Sequence, residues 1–133
     1  MARSGLIAAD TTFLIDLQRD DREVRSALRS FLSAHRTSKL CVSVTALGEF
    51  AAGFLDPHQG AYVAIRQRFE LSPHDEEVAL CYGTIFRDLK SEGQLIGGND
   101  LWIAASALRH GAALVTRNVE EFSRVPNLKV LRY

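Results

Sequence analysis

The sequence predicts an α/β domain, a three-layer α/β/α sandwich with a central parallel sheet. Three observations carry this expectation. Short apolar runs alternate with longer stretches of helical periodicity along the whole chain. No repeat, linker or low-complexity segment interrupts the alternation, and 133 residues suit one domain, residues 1–133, with a single core. Hydrophobic residues make up 47% and charged residues 24%, which excludes a disordered or collagen-like chain.

Leu6–Ala9 is a strand by its apolar run, and Phe13–Leu17 continues as helix. Val24, Ala27, Leu28 and Phe31 recur at helical spacing, giving a helix over Val24–Ala34. Lys39–Val44 reads as the second strand. Thr45–Leu55 follows as a helix whose apolar stripe is Leu47, Phe50, Ala51 and Phe54. Pro57 breaks the chain before a helix over Ala61–Arg68. Phe69–Leu71 is a short strand. Ser72 or His74 caps the next helix, whose first turn places Asp75, Glu76 and Glu77 at the positive dipole end and which runs to Ser91. After the loop Gly93–Asn99 comes a nearly all-apolar helix, Asp100–His110, closed by Gly111. Ala112–Val115 is a strand, Glu120–Ser123 a helical turn and Leu128–Leu131 the last strand.

Composition removes several function classes. Cys41 and Cys81 lie in apolar stretches without metal or redox spacing, which fits a reducing, cytoplasmic setting. The four histidines are scattered, and none forms a zinc pattern. Phosphate-loop, dinucleotide-binding and nucleophile-elbow motifs are absent. The apolar run before Asp10 is too short for a signal peptide or a membrane span. Sixteen basic residues balance sixteen acidic ones, so no global positive field marks a polybasic nucleic-acid coat.

Ligands of open parallel sheets bind beyond the carboxyl ends of the strands. Asp10 directly follows the first strand, and Asn118 follows the Ala112–Val115 strand. Glu49 is the only charge between residues 45 and 55; it lies opposite the apolar stripe, among Ala46, Gly48, Ala52 and Gly53. Asp100 opens the apolar helix and is its only acid. Each has an ordinary role available: a helix cap for Asp10, a solvated face for Glu49, dipole complementation for Asp100 and a turn for Asn118. Their joint placement at one sheet edge is the signal. Clustered carboxylates repel unless a cation neutralises them, and hard oxygen ligands select Mg²⁺ or Mn²⁺ over zinc. Such an ion orients phosphate and activates water, which is phosphodiester hydrolysis without a protein nucleophile.

The segments AADTTFLID, TALGEF, GGNDLWIAASAL and LVTRNVEEF resemble, in order, the four signatures of the PIN-domain nucleases, and in detail the VapC-type toxins of bacterial toxin–antitoxin pairs. The resemblance spans Leu6 to the end of the sequence. It implies a PIN-like fold, with Asp10, Glu49 and Asp100 as metal-site acids and Thr11 as the neighbouring hydroxyl. Thr12 stands where the family often has Asn or Ser. Asn118 stands where many members have Asp, which leaves the catalytic set Asp10, Glu49, Asp100 and Asn118 with three formal negative charges. Glu121 would add a fourth carboxylate through water. Also implied are an Mg²⁺- or Mn²⁺-dependent endoribonuclease acting on structured RNA such as tRNA or rRNA, a homodimer, and a VapB-like antitoxin. That antitoxin would lay an amphipathic segment between the helices at Phe13–Leu17, Val24–Ala34 and Thr45–Phe54.

Two other classes stay open. A non-catalytic PIN-like module binding RNA or protein suits the neutral charge and Asn118. An aspartyl-phosphate phosphatase or receiver domain fits poorly: Thr12 stands where such phosphatases need a second Asp, and Val44–Thr45 supplies no receiver Asp. Arg19, Arg22, Arg117 and Arg124 are the arginines available to RNA phosphates, although exposed arginines commonly serve only solubility. With zero net charge and clustered acids, RNA affinity should depend strongly on a bound divalent ion. RNA-binding titrations with and without Mg²⁺ check this, and equal affinity would contradict it.

Overall fold

The computed structural model describes residues 5–56, 58 and 60–133. In chain order the elements are β1 (Leu6–Ala9), α1 (Thr11–Gln18), α2 (Arg22–Ala34), β2 (Lys39–Ser43), α3 (Val44–Ala51), α4 (Gly60–Arg66), β3 (Glu70–Ser72), α5 (Glu76–Ser91), α6 (Gly98–Arg109), β4 (Ala113–Val115), α7 (Val119–Phe122) and β5 (Val130–Leu131). Every predicted element among the described residues is present, most with ends shifted by one to three residues; the break at Pro57 falls outside them.

The strands form one sheet in the order β3-β2-β1-β4-β5, and every pairing is parallel. The chain adds β2 and β3 on one side of β1, then returns to place β4 and β5 on the other. Strand order therefore reverses between β1 and β4, and a crevice opens there beyond their carboxyl ends. Ala9 pairs with Val115 across it, so Asp10 and Thr116 are the next residues on each side.

Ile7, Ala9, Val42, Leu114 and Val115 are buried, as strands covered on both faces should be. Phe13 of α1 packs edge-on against Phe31 of α2 and against Tyr133, with ring centroids 5.6 and 5.1 Å apart. Ile103, Ala104, Ala105 and Ala107 bury α6, which accounts for its nearly all-apolar sequence.

Two local expectations are corrected. Asp75, not Ser72 or His74, caps α5: its carboxylate accepts from the Val78 N–H at 2.9 Å. Ser72 ends β3, and the His74 ring pairs with the Thr45 hydroxyl instead. The third helix ends at Ala51 rather than Leu55, and Ala46 belongs to its buried side with Phe50, because helix contacts with the sheet take the first turn as well as the stripe. A depression between α1 and α2 is lined by Leu17, Leu28 and Leu32 with Arg25 and Arg29, at two of the three helices expected to wall an antitoxin groove.

Leu114 is fully buried in β4. Leu114→Ala should cost about 3 kcal/mol of stability, read as a lower urea midpoint at unchanged m-value. A loss under about 1 kcal/mol would show that this strand is not part of the core.

Candidate active site

Asp10 ends β1 and caps α1, so strand and helix both fix its backbone. One carboxylate oxygen accepts from the Thr11 N–H at 2.7 Å. The other accepts from the Thr116 hydroxyl at 2.6 Å and the Thr12 hydroxyl at 3.2 Å. The expected cap and the expected site acid are the same residue. It is 3% exposed. Burial pushes its carboxyl up, the donated hydrogen bonds from Thr116, Thr11 and Thr12 pull it down, and Glu49 raises it.

Glu49 reaches the same edge from α3. Its Oε1 accepts from the Thr11 hydroxyl at 2.6 Å and its Oε2 from the Asn99 amide at 3.2 Å. Asp100 sits in the first turn of α6. Burial, then the charges of Asp10, Glu121 and Glu49, push its carboxyl up to about 6. Glu49, Gly97, Gly98, Asn99 and Asp100 line an opening of about 470 Å³. The structure thus brings Asp10, Glu49 and Asp100 together and adds Glu121. Asn118 lies beside them through its backbone, donating its N–H to the Thr116 hydroxyl at 2.9 Å, while its side chain makes no cap bond.

Sequence reasoning missed three contributors. Thr116 is fully buried and bridges Asp10 to the turn after β4. Asn99 holds Glu49. Asp16, buried at 0% exposure, accepts from the Tyr133 hydroxyl at 2.6 Å and pairs with Arg117 Nε at 2.8 Å. Thr116 directly after a strand was a readable signal; Asp16 sat unremarked inside a helix.

Among the described residues, no arginine or lysine figures among the groups that act on Asp10 or Asp100. Negative charge at this edge is therefore uncompensated by the protein, and a hard divalent cation suits such a donor set. Among the described residues, no three His, Cys, Asp or Glu side chains close around one point in this arrangement. Glu49, drawn to Thr11 and Asn99, would have to turn to complete a ligand set.

The PIN domain family model matches residues 7–128. The protein named Ribonuclease VapC1 from Haemophilus influenzae (strain R2866) is 37% identical over 82 residues, covering 62% of this chain and 61% of that protein. The tRNA(fMet)-specific endonuclease VapC of Salmonella typhimurium (strain LT2) is 31% identical over 99 residues, 71% of this chain and 75% of that protein. This chain thus spans 61% of the length of the Haemophilus relatives that it matches. The structure of VapBC-1 from nontypeable Haemophilus influenzae superposes with a TM-score of 0.74 at 30% identity, covering 96% of this chain and 97% of that one. VapBC2 from Rickettsia felis, bound to a promoter DNA fragment, gives 0.81 at 24% identity over 96% and 98%, a likeness of fold.

An aspartate whose carboxyl is raised in the folded state holds its proton more tightly than in the unfolded chain. As pH rises from the ordinary 3.8 to about 6, Asp100 therefore costs the metal-free protein stability. The melting temperature of Asp100→Asn relative to the parent should climb across that window, measured by calorimetry. A constant difference would refute the raised carboxyl.

Proposed function

The chain belongs to the PIN-domain family, and on that premise we propose that it is a metal-dependent endoribonuclease, the toxin of a toxin–antitoxin pair. The observation that carries the reading is the convergence of Asp10, Glu49 and Asp100, without a basic partner, at the crevice where strand order reverses. Asp10, Glu49 and Asp100 would hold Mg²⁺ or Mn²⁺. When bound, the ion would orient a phosphate, lower the pKa of the attacking water and offset charge on the leaving oxygen.

The chain's own residues supply position and charge. Thr116, Thr12 and the Thr11 N–H fix both oxygens of Asp10 before any substrate arrives. Asn99 and Thr11 hold Glu49 at the opening, in reach of the same edge. Asp100, raised by burial and then by the charges of Asp10, Glu121 and Glu49, ionises only around pH 6. The neutral Asn118 adds no charge to the cluster, and Glu121 adds one at its rim.

The reading extends to a single domain over residues 1–133 that forms a homodimer in the cytoplasm, with a structured RNA such as tRNA or rRNA as substrate. No helix among the described residues is long and apolar enough to cross a membrane. A VapB-like antitoxin would lay an amphipathic segment on Leu17, Leu28 and Leu32 in the groove of about 590 Å³ between α1 and α2. The likeness to VapBC-1 from Haemophilus, at 30% identity, supports such a partner.

Glu49's engagement with Thr11 and Asn99 favours a second reading, a non-catalytic PIN-like module that binds RNA or protein. Asp10→Asn, Glu49→Gln and Asp100→Asn should each lower cleavage of tRNA or rRNA in Mg²⁺ or Mn²⁺ by at least about a hundredfold. Chelator should abolish cleavage in the parent, and Mn²⁺ should bind the parent with a measurable heat. Full activity in the variants or in chelator would sink the nuclease reading. Absence of Mn²⁺ binding with RNA affinity intact would establish the module.

A further inference from the structure

Of the four arginines read as available to phosphate, the structure separates one. Arg124 donates to the Leu95 carbonyl, Arg22 lies exposed at the start of α2, and Arg19 stands 3.5 Å from Asp16. Arg117 differs because its anchor is buried. Its Nε lies 2.8 Å from Asp16 Oδ2, and its N–H donates to the Thr12 hydroxyl that also binds Asp10. Burial and the bond to Asp16 push the Tyr133 hydroxyl far up, so it stays a donor to that carboxylate. The ion pair is made through Nε, and the Arg117 guanidinium pairs with no second acid among the described residues. Its side chain is 49% exposed.

Arg117 borders a depression of about 620 Å³ that Thr116, Glu120, Ser123, Arg132 and Tyr133 also line. Strand register places it. Asp10 N–H donates to the Val115 carbonyl and Thr116 N–H to the Leu131 carbonyl, so Asp10, Thr116 and Arg132 follow three neighbouring strands side by side. At the usual strand spacing, the Arg132 backbone is about 10 Å from that of Asp10. Arg132 is exposed and forms no ion pair among the described residues. The facing charges are Arg117 and Arg132 against Glu120, with Asp16 shared between Arg117 and Arg19.

We propose that Arg117 and Arg132 form a subsite for an RNA backbone phosphate neighbouring the one presented to the acidic cluster. The subsite rests on the nuclease reading and deepens it. An arginine locked by a buried carboxylate loses little freedom on binding, and its planar fork matches phosphate oxygens. Contacts of this kind set the register of the strand without reading its bases. The acids repel phosphate on their own; two guanidinium groups beside them steer the chain across the crevice between β1 and β4.

The test is binding of a fluorescein-labelled, random-sequence oligoribonucleotide with Ca²⁺ in place of Mg²⁺, so that the strand is bound without being cut, followed by anisotropy at several salt concentrations. Arg132→Ala should weaken binding about five- to tenfold and reduce the salt slope by about 0.7, the share of one phosphate contact on a single strand. Because Arg117→Ala alone would leave Asp16 buried with its charge, the informative variant is Asp16→Asn/Arg117→Gln, which removes both charges. It should show a similar loss while keeping a folded circular-dichroism spectrum. Glu120→Gln should tighten binding two- to threefold, and Arg87→Ala on α5 should leave the slope as it is. Parental affinity and slope in both Arg132→Ala and the double variant, with the parent binding RNA, would overturn the subsite alone. A parent that neither binds nor cuts RNA would overturn the nuclease reading and the subsite with it.

Discussion

Asp10 is a buried carboxylate held by hydroxyls and an N–H where a buried acid ordinarily takes a base. Its ionised form is stabilised by Thr116, Thr12 and the Thr11 N–H, and opposed by burial and by Glu49. Three donors fix its orientation without cancelling its charge. The neighbouring acid feels that surplus: Asp100 ionises late because it is partly buried and, to a lesser degree, because Asp10, Glu121 and Glu49 stand near it. A guanidinium paired directly with Asp10 would have cancelled that surplus.

The same short stretch of chain contains the opposite solution. Asp16, less than two helical turns beyond Asp10, is fully buried and meets Arg117, Arg19 and the Tyr133 hydroxyl. One acid of α1 is compensated and ties the helix to the end of the sheet; the other, at its cap, is left uncompensated beside the crevice. The two are mechanically joined, because the Thr12 hydroxyl donates to Asp10 and accepts the N–H of Arg117.

Much of the fold was legible because parallel strands covered on both faces are written as apolar runs, and Leu6–Ala9 and Ala113–Val115 are such runs. Asp10, Glu49 and Asp100 were legible for a different reason: each is an isolated charge or strand-end acid whose place in a parallel sheet follows from order alone. What stayed hidden depended on distance in space. Asn99 looked like a loop residue until α3 and α6 brought it to Glu49, and Asp16 drew no reading because its partner Arg117 stands 101 positions away. Ala46 went to the wrong side of its helix because an alanine reveals little about the face it occupies.

Sequence separation has a consequence of its own. Thr116 and Asp10 are 106 positions apart, and Tyr133 and Asp16 are 117 apart. Closing loops of that length comes late in folding, since the entropy of both ends must be lost before the contact repays it. Residues 10, 49 and 100 leave the ribosome before the strand carrying Thr116 is available to orient the first of them. A growing chain of this protein therefore holds its acids without their geometry until β4 has docked beside β1.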